Sequence, residues 1–262
     1  MRFDLVSDLH KDFWDDSEQV NWEGLGTSLV NCTLGDISFD PNVTYSTIVD
    51  ISKHYKYTIF VDGNHEHNNQ CGIQLHNQQL KNELSKYQNI VFLNRSAIVI
   101  DGSAFVGANG WWSFDFMEPE ITKDEAYMYF VDNNIFSEPF MHEIYHTAIE
   151  DAHVLSEIVA KLTNDSAVFE IIMLTHTSPL KEFMDFKNFE HQHPAHFSRC
   201  GSSHLASILK ADQNKKIKTW CFGHIHQEFD KIVDGVRYIC HPRGRKDDCP
   251  ENLFYYPKMI ET

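Results

Sequence analysis

Five short stretches of this 262-residue chain carry side chains suited to divalent cations. They are Asp8-Leu9-His10, Gly35-Asp36, Gly63-Asn64-His65-Glu66-His67, Thr175-His176 and Gly223-His224-Ile225-His226. Carboxylate, amide oxygen and imidazole are hard-to-borderline donors, and this mixture accepts Mn, Fe, Zn or Ni. A pair of cations a few ångströms apart needs roughly seven or eight protein donors, with at least one shared. Asp8, His10, Asp36, Asn64, His176, His224 and His226 make seven. Asp36 suits the shared position, because a carboxylate screens the repulsion between two cations and Gly35 before it permits close approach. The His224-x-His226 turn suits division between two ions. Such a pair lowers the pKa of a shared water, so that hydroxide exists near neutral pH.

Each stretch follows an apolar run, so strands must deliver them. Residues 2–7 read as a first strand, 28–34 as a second, 57–61 as a third, 168–174 and 217–222 as later ones. Between them, 42–55 has helical spacing with Asn42 in a capping position, and 74–87 and 141–162 read as helices. Ile90–Leu93, Ala97–Ile100 and Ala104–Gly107 read as short strands, the last two turning at Asp101-Gly102, and residues 229–233 and 236–240 form a hairpin about Asp234-Gly235. Polar turns after the strands of an alternating pattern argue for an α/β layered fold with ligands outside the carboxyl ends of the strands. Residues 11–27 read as a loop. Two longer irregular segments, 108–141 and 177–203, are expected to carry specificity, the first as an aromatic lid over the site. Without a repeat or linker, residues 1–262 are expected to form one domain.

Taken in order, the five stretches resemble the signature of the calcineurin-like metallophosphoesterase superfamily: D-x-H, G-D, G-N-H-[D/E], an isolated H, then G-H-x-H. Thr175-His176-Thr177-Ser178-Pro179 and His241-Pro242-Arg243-Gly244 extend the likeness to its small prokaryotic and phage-type members. The resemblance implies a four-layer αββα sandwich, two mixed β-sheets facing each other with helices outside. It implies Asp8, His10, Asp36 and His226 on one metal, and Asp36, Asn64, His176 and His224 on the other. His65 would stay unligated and protonate the leaving oxygen, while a metal-bridging hydroxide attacks in line. The implied activity is hydrolysis of a small or nucleotide-like phosphomonoester or phosphodiester with two divalent ions, Mn²⁺ first among them. A nuclease is the alternative, and a non-catalytic scaffold on the same fold a weaker one, since no ligand is lost. The phosphoprotein phosphatases of this superfamily continue as G-D-x-x-D-R-G, whereas this chain reads Gly35-Asp36-Ile37-Ser38-Phe39-Asp40. That departure removes the usual phosphate-gripping Arg. Arg243 is then a candidate phosphate contact, or else a brace for the hairpin, with Trp111 and Trp112 as further candidate substrate contacts. Asp40 reads as a solvated carboxylate before it reads as a partner for His65.

Composition narrows the partners. A net charge of −16 without a basic stripe disfavours long nucleic acid, because affinity for the phosphate backbone rests on Lys and Arg. Six cysteines lack metal spacing and Cys32, Cys221 and Cys240 lie in apolar runs, which suggests a reducing compartment. No apolar run approaches the roughly 18 residues of a membrane span, and no leader is evident, so a cytoplasmic location is expected. The oligomeric state is not readable. His142-Glu143-Ile144-Tyr145-His146 matches the zincin motif H-E-x-x-H, but lacks a third ligand and reads as the exposed face of an amphipathic helix. His191, His193 and His196 read as a polar loop bordering the pocket. Glu66 reads as support for the ligands and His67 as a surface residue.

Overall fold

The computed structural model describes residues 1–67, 72–183 and 193–262. Eleven strands form two sheets among the described residues. In the first, β1 (Arg2–Ser7), β2 (Val30–Leu34), β3 (Tyr57–Val61) and β4 (Ile90–Phe92) run parallel, and β11 (Lys258–Glu261) closes one edge antiparallel to β1. The second has the order β5 (Ser96–Ile100), β6 (Ser103–Gly107), β7 (Glu170–Leu174), β8 (Ile217–Phe222), β10 (Val236–Cys240), β9 (Phe229–Val233). Its central strands β6, β7, β8 and β10 are parallel and both edges are hairpins. The turn pairs Asp101-Gly102 and Asp234-Gly235 all adopt positive φ, as tight hairpins require.

Side-chain alternation along the strands makes the layers. Phe3, Leu5, Cys32, Ile59, Val61, Phe105, Ile172, Leu174, Cys221 and Ile239 face one another in a core between the sheets. Val6 and Phe60 point the other way, onto Ile48 and Ile51 of α1 (Pro41–Ser52) and Leu80 and Leu84 of α2 (Ile73–Leu84). Val106, Met173, Trp220 and Tyr238 do the same on the second sheet, under Ile144, Ala148, Leu155 and Val159 of α4 (Glu138–Leu162). The architecture is therefore the four-layer αββα sandwich expected.

Several expectations are corrected. Helix α1 begins earlier, capped by Asp40, whose carboxylate accepts from Asn42 N; Asp40 is thus a helix cap, and Asn42 lies inside the helix. The segment 108–141 is no lid. Trp111, Trp112, Phe114 and Phe116 are buried in the core beneath α4, and Lys123–Asp132 forms a helix, α3, with a capping box at Thr122 and Glu125. Aromatic residues scattered among charged and polar ones hid both features, because no single period stands out. Strand β11 went unread because it is a four-residue edge with a single buried side chain, Ile260. Cys71, and residues 184–192 of the segment 177–203 with His191 among them, lie outside the described residues. No helix among the described residues is long and apolar enough to cross a membrane.

Candidate metal centre

The five turns do converge, at the carboxyl ends of β1, β2, β3, β7 and β8. Backbone hydrogen bonds tie them together: Asp8 N to Gly35 O at 3.0 Å, His10 N to Asp36 O at 2.9 Å, and Gly223 N to His176 O at 2.8 Å. Arg243 N and Gly244 N, after β10, donate to Ser7 O and Asp8 O. Five of the seven expected donors hold left-handed backbone: Asp8 (φ 51), His10 (φ 43), Asp36 (φ 53), His224 (φ 68) and His226 (φ 47). Each costs on the order of 1 kcal/mol for a non-glycine residue, and such outliers persist where surrounding structure imposes them, typically at functional sites. Sequence patterns carry no sign of this. Gly63 is required by close approach and not by backbone freedom: a Cβ there would overlap the backbone and carboxylate of Asp36.

The donors fall into contiguous groups in which candidate ligand atoms all lie within 4.8 Å of one another: Asp8, His10 and His226; His10, Asp36 and His65; Asp36, His176 and His224. Asp36 joins them. Its Oδ1 lies 3.3 Å from His176 Nε2, while its Oδ2 is 3.8 Å from His10 Nε2 and 3.7 Å from His65 Nε2. Asn64 Oδ1 is 3.3 Å from His176 Nε2. The groups that orient the rings are equally specific. Leu34 O lies 2.9 Å from His176 Nδ1, and Asp248 Oδ2 lies 2.7 Å from His226 Nδ1, so each ring turns Nε2 into the cluster. Glu66 accepts from the backbone N–H of Asp36, Ile37 and Gly63, fixing the two turns to each other.

The donor set fits cations. His10 Nε2 and His226 Nε2 face each other at 2.7 Å, where at most one proton can sit between neutral rings. Asp8 Oδ2 is buried and has no partner among the described residues. Burial pushes Asp8 up from its ordinary pKa and pushes His10 and His224 well down. Burial opposes ionisation of Asp36 too, but His176, His65 and His10 hold it well below the usual carboxylate range. His176, in return, rises to about 10: burial lowers it, and the adjacent Asp36 more than reverses that. Proton sharing is the metal-free way to balance this charge, and cation binding is the other.

His65 stands beside the donors in its own way. Its ring stacks on Phe39 at 3.9 Å between centroids, and Arg245 donates to its Nε2 at 3.0 Å. Nε2 of His65 therefore accepts from a guanidinium while also lying in the second of the donor groups, 3.7 Å from Asp36 Oδ2. Burial lowers its pKa to about 4; Asp36 opposes the fall and Arg245 adds to it.

The expected substrate contacts Arg243, Trp111 and Trp112 are not at the surface of the site. Arg243 is fully buried, donates to Glu18 O and covers the ring of Trp14 at 4.0 Å, so it braces the loop after β1. Trp111 and Trp112 are 1% exposed, and Trp112 stacks against the ring of His224 at 5.8 Å. His67 is buried against Asp62 at 2.6 Å, so it is no surface residue. The zincin-like motif is structural: Glu143 accepts from Ile73 N and Gln74 N at the start of α2, and His142 and His146 are exposed.

A cavity of about 490 Å³ opens over the centre, lined by Asp36, Asn64, His65, His224 and His226 on one side. His196, Phe197, Arg199 and Cys200 line it from the segment 177–203, and Arg245 and Asp248 from the C-terminal segment. Arg245 and Asp248 escaped sequence reading. The signal that pointed nearby was His241-Pro242-Arg243-Gly244, immediately before the arginine that lines the cavity.

No protein-family model matches the chain. A protein of Acanthamoeba polyphaga mimivirus, uncharacterized protein L509, is 25% identical over 256 residues, covering 88% of this chain and 86% of its own length. Among solved structures, phosphopantetheinyl hydrolase (PptH) from Mycobacterium tuberculosis superposes with a TM-score of 0.73 over 98% of this chain and 95% of that one, at 16% identity. A putative 5′-nucleotidase from Staphylococcus aureus matches more loosely, with a TM-score of 0.48 at 15% identity over 94% of this chain and 48% of that one. At such identities the PptH likeness shows a shared fold.

Proposed function

We propose that this chain is a phosphoester hydrolase that works with two divalent cations on a small phosphomonoester or phosphodiester. The observation that carries the reading is the place of Asp36, whose two oxygens face His176 on one side and His10 on the other. Asp8, His10, Asp36 and His226 would hold one cation, and Asp36, Asn64, His176 and His224 the second. When bound, the pair supplies an acidified water and positive charge against the phosphoryl oxygens. Mn²⁺ is the first ion to load, and the same oxygen and nitrogen donors accept Fe, Zn or Ni.

The rest falls to the chain. Arg245 is the cavity's cation beside His65 and grips the phosphoryl group that the departed G-D-x-x-D-R-G arginine would otherwise hold. When a phosphoryl oxygen takes the Arg245 donor, His65 Nε2 is released, and the anion beside it favours a proton there. His65 then gives that proton to the leaving oxygen. Burial keeps His65 neutral in the free protein, and the phosphoryl anion has to offset that burial for the ring to carry the proton in the complex. The cavity volume falls within the roughly 300–1,000 Å³ typical of small-ligand sites, which favours a small ester over a nucleic acid.

Purified protein loaded with Mn²⁺ is expected to hydrolyse p-nitrophenyl phosphate or its bis ester, and phosphopantetheinyl esters belong in the wider panel. His65→Ala should lose activity and keep its metal. Failure to turn over either ester with any of the four metals, or full activity in Asp36→Ala, would overturn the reading.

A further inference from the structure

Arg199 is the second guanidinium lining the cavity. It leaves the turn Pro194–Arg199, lies over the rings of Phe130 and Phe136 at 5.4 and 5.9 Å, and forms no ion pair among the described residues. Its Nε is buried without a hydrogen-bond partner among the described residues. Arg245, across the same cavity, is likewise without a carboxylate within ion-pair distance among the described residues. Burial, and then the nearby Arg245 charge, hold Arg199 below its ordinary pKa, which places the two cations within electrical reach of each other. Two guanidinium groups thus line one cavity with no ion-pair partner among the described residues. Burying a charge unpaired is costly, and a planar guanidinium pinned on aromatic rings keeps its N–H fork available for an oxyanion.

We propose that Arg199 holds a second phosphate of the substrate, beside the ester phosphate that Arg245 grips, so that the cavity takes phosphoesters carrying a further phosphoryl group. This deepens the hydrolase reading and rests on it only for which phosphate reacts: the ester phosphate lies over Asp36 and His65, and the second reaches Arg199. Either an anhydride-linked diphosphate or a bisphosphate spanned by a short carbon chain supplies that chemistry.

The test is calorimetric titration of Mn²⁺-loaded protein, in a His65→Ala background that prevents turnover, with inorganic phosphate, pyrophosphate and propane-1,3-diol bisphosphate. At least one of the two-phosphate probes is expected to bind about tenfold or more tightly than phosphate, as a charge-assisted pair allows. Which one does so distinguishes the anhydride from the bisphosphate. Arg199→Met should collapse that preference, and Arg199→Lys, which keeps the charge, should retain part of it. Equal affinity for all three probes, no measurable binding of either two-phosphate probe, or an unchanged preference in Arg199→Met with an unaltered Tm would overturn the proposal. Turnover of p-nitrophenyl phosphate by the native chain separates the two ideas. Preference without turnover leaves the subsite standing and removes the hydrolase, and turnover without preference does the reverse.

Discussion

Asp248 Oδ2 lies 2.7 Å from Nδ1 of His226, and Nε2 of the same ring lies 2.7 Å from His10 Nε2 and 3.6 Å from Asp8 Oδ1. The carboxylate selects the tautomer and aims the ring, and it also accepts from Arg245 N at 2.7 Å, tying the cavity's arginine to the metal side. Asp248→Ala should therefore weaken metal binding by roughly 10- to 100-fold, the usual cost of losing a carboxylate behind a metal-facing histidine. Mn²⁺ titration followed by competition with a chelator measures it. Affinity within twofold of the native chain would mean that packing alone orients His226.

Arg245 and His65 form the second testable pair. If Arg245 grips the phosphoryl group, Arg245→Met should reduce kcat/KM for a simple ester by about 10- to 100-fold, the range expected for one charged hydrogen bond to the reacting group. Metal content should stay at the native level, because Arg245 offers no electron pair to a cation. Loss of metal together with activity would show that the arginine is structural, and native kinetics would remove it from the reaction.

Much of this centre was legible because each donor follows a buried strand and sits in a turn. The apolar runs before Asp8, Asp36, Asn64, His176 and His224 are β1, β2, β3, β7 and β8, with bounds within two residues of those expected. What was hidden depends on contacts between distant segments. Asp248 meets His226 across 22 residues and Arg245 meets His65 across 180, with no spacing rule to reveal them. His67 looked exposed beside Glu66 because burial against Asp62 follows from how the turn after β3 folds back, not from local pattern. The tryptophans misled in the opposite direction: a run of aromatics reads as a pocket lining or as core with equal ease, and only the packing under α4 decides.

Glu143 offers a prediction about the zincin-like motif. Gly72, at the cap of α2, has no side chain to receive the first N–H groups of the helix, and Glu143 from α4 supplies the acceptor at 2.7 Å from Ile73 N. Glu143→Ala should destabilise the fold by roughly 0.5–2 kcal/mol, the cost of a lost N-cap, and leave metal stoichiometry and esterase activity unchanged. Urea unfolding and metal analysis together check this. A fall in bound metal would revive the motif as a ligand set.

Asp151 gives a pH dependence away from the centre. It is buried on α4, accepts from Arg95 Nε at 2.6 Å and from Gly110 N at 3.0 Å, and has its pKa raised to about 6. Burial is the larger influence; Arg95 opposes it, and Asp62 adds to it. With the folded pKa above the unfolded one, the folded state holds the proton more tightly. The contribution to stability is thus complete below about pH 4 and is lost as pH rises through 6, an integrated change on the order of 3 kcal/mol. Other carboxylates, Asp36 among them, pull the opposite way, so the total profile does not isolate the effect. The difference between the native chain and Asp151→Asn does, because the amide does not titrate and its altered contact with Arg95 is a constant offset. Urea midpoints at pH 4 and pH 6.5 should show the native chain losing stability relative to the variant. A difference that stays constant across that range would mean that Arg95 keeps the carboxylate ionised throughout, and that the ion pair outweighs burial at this position.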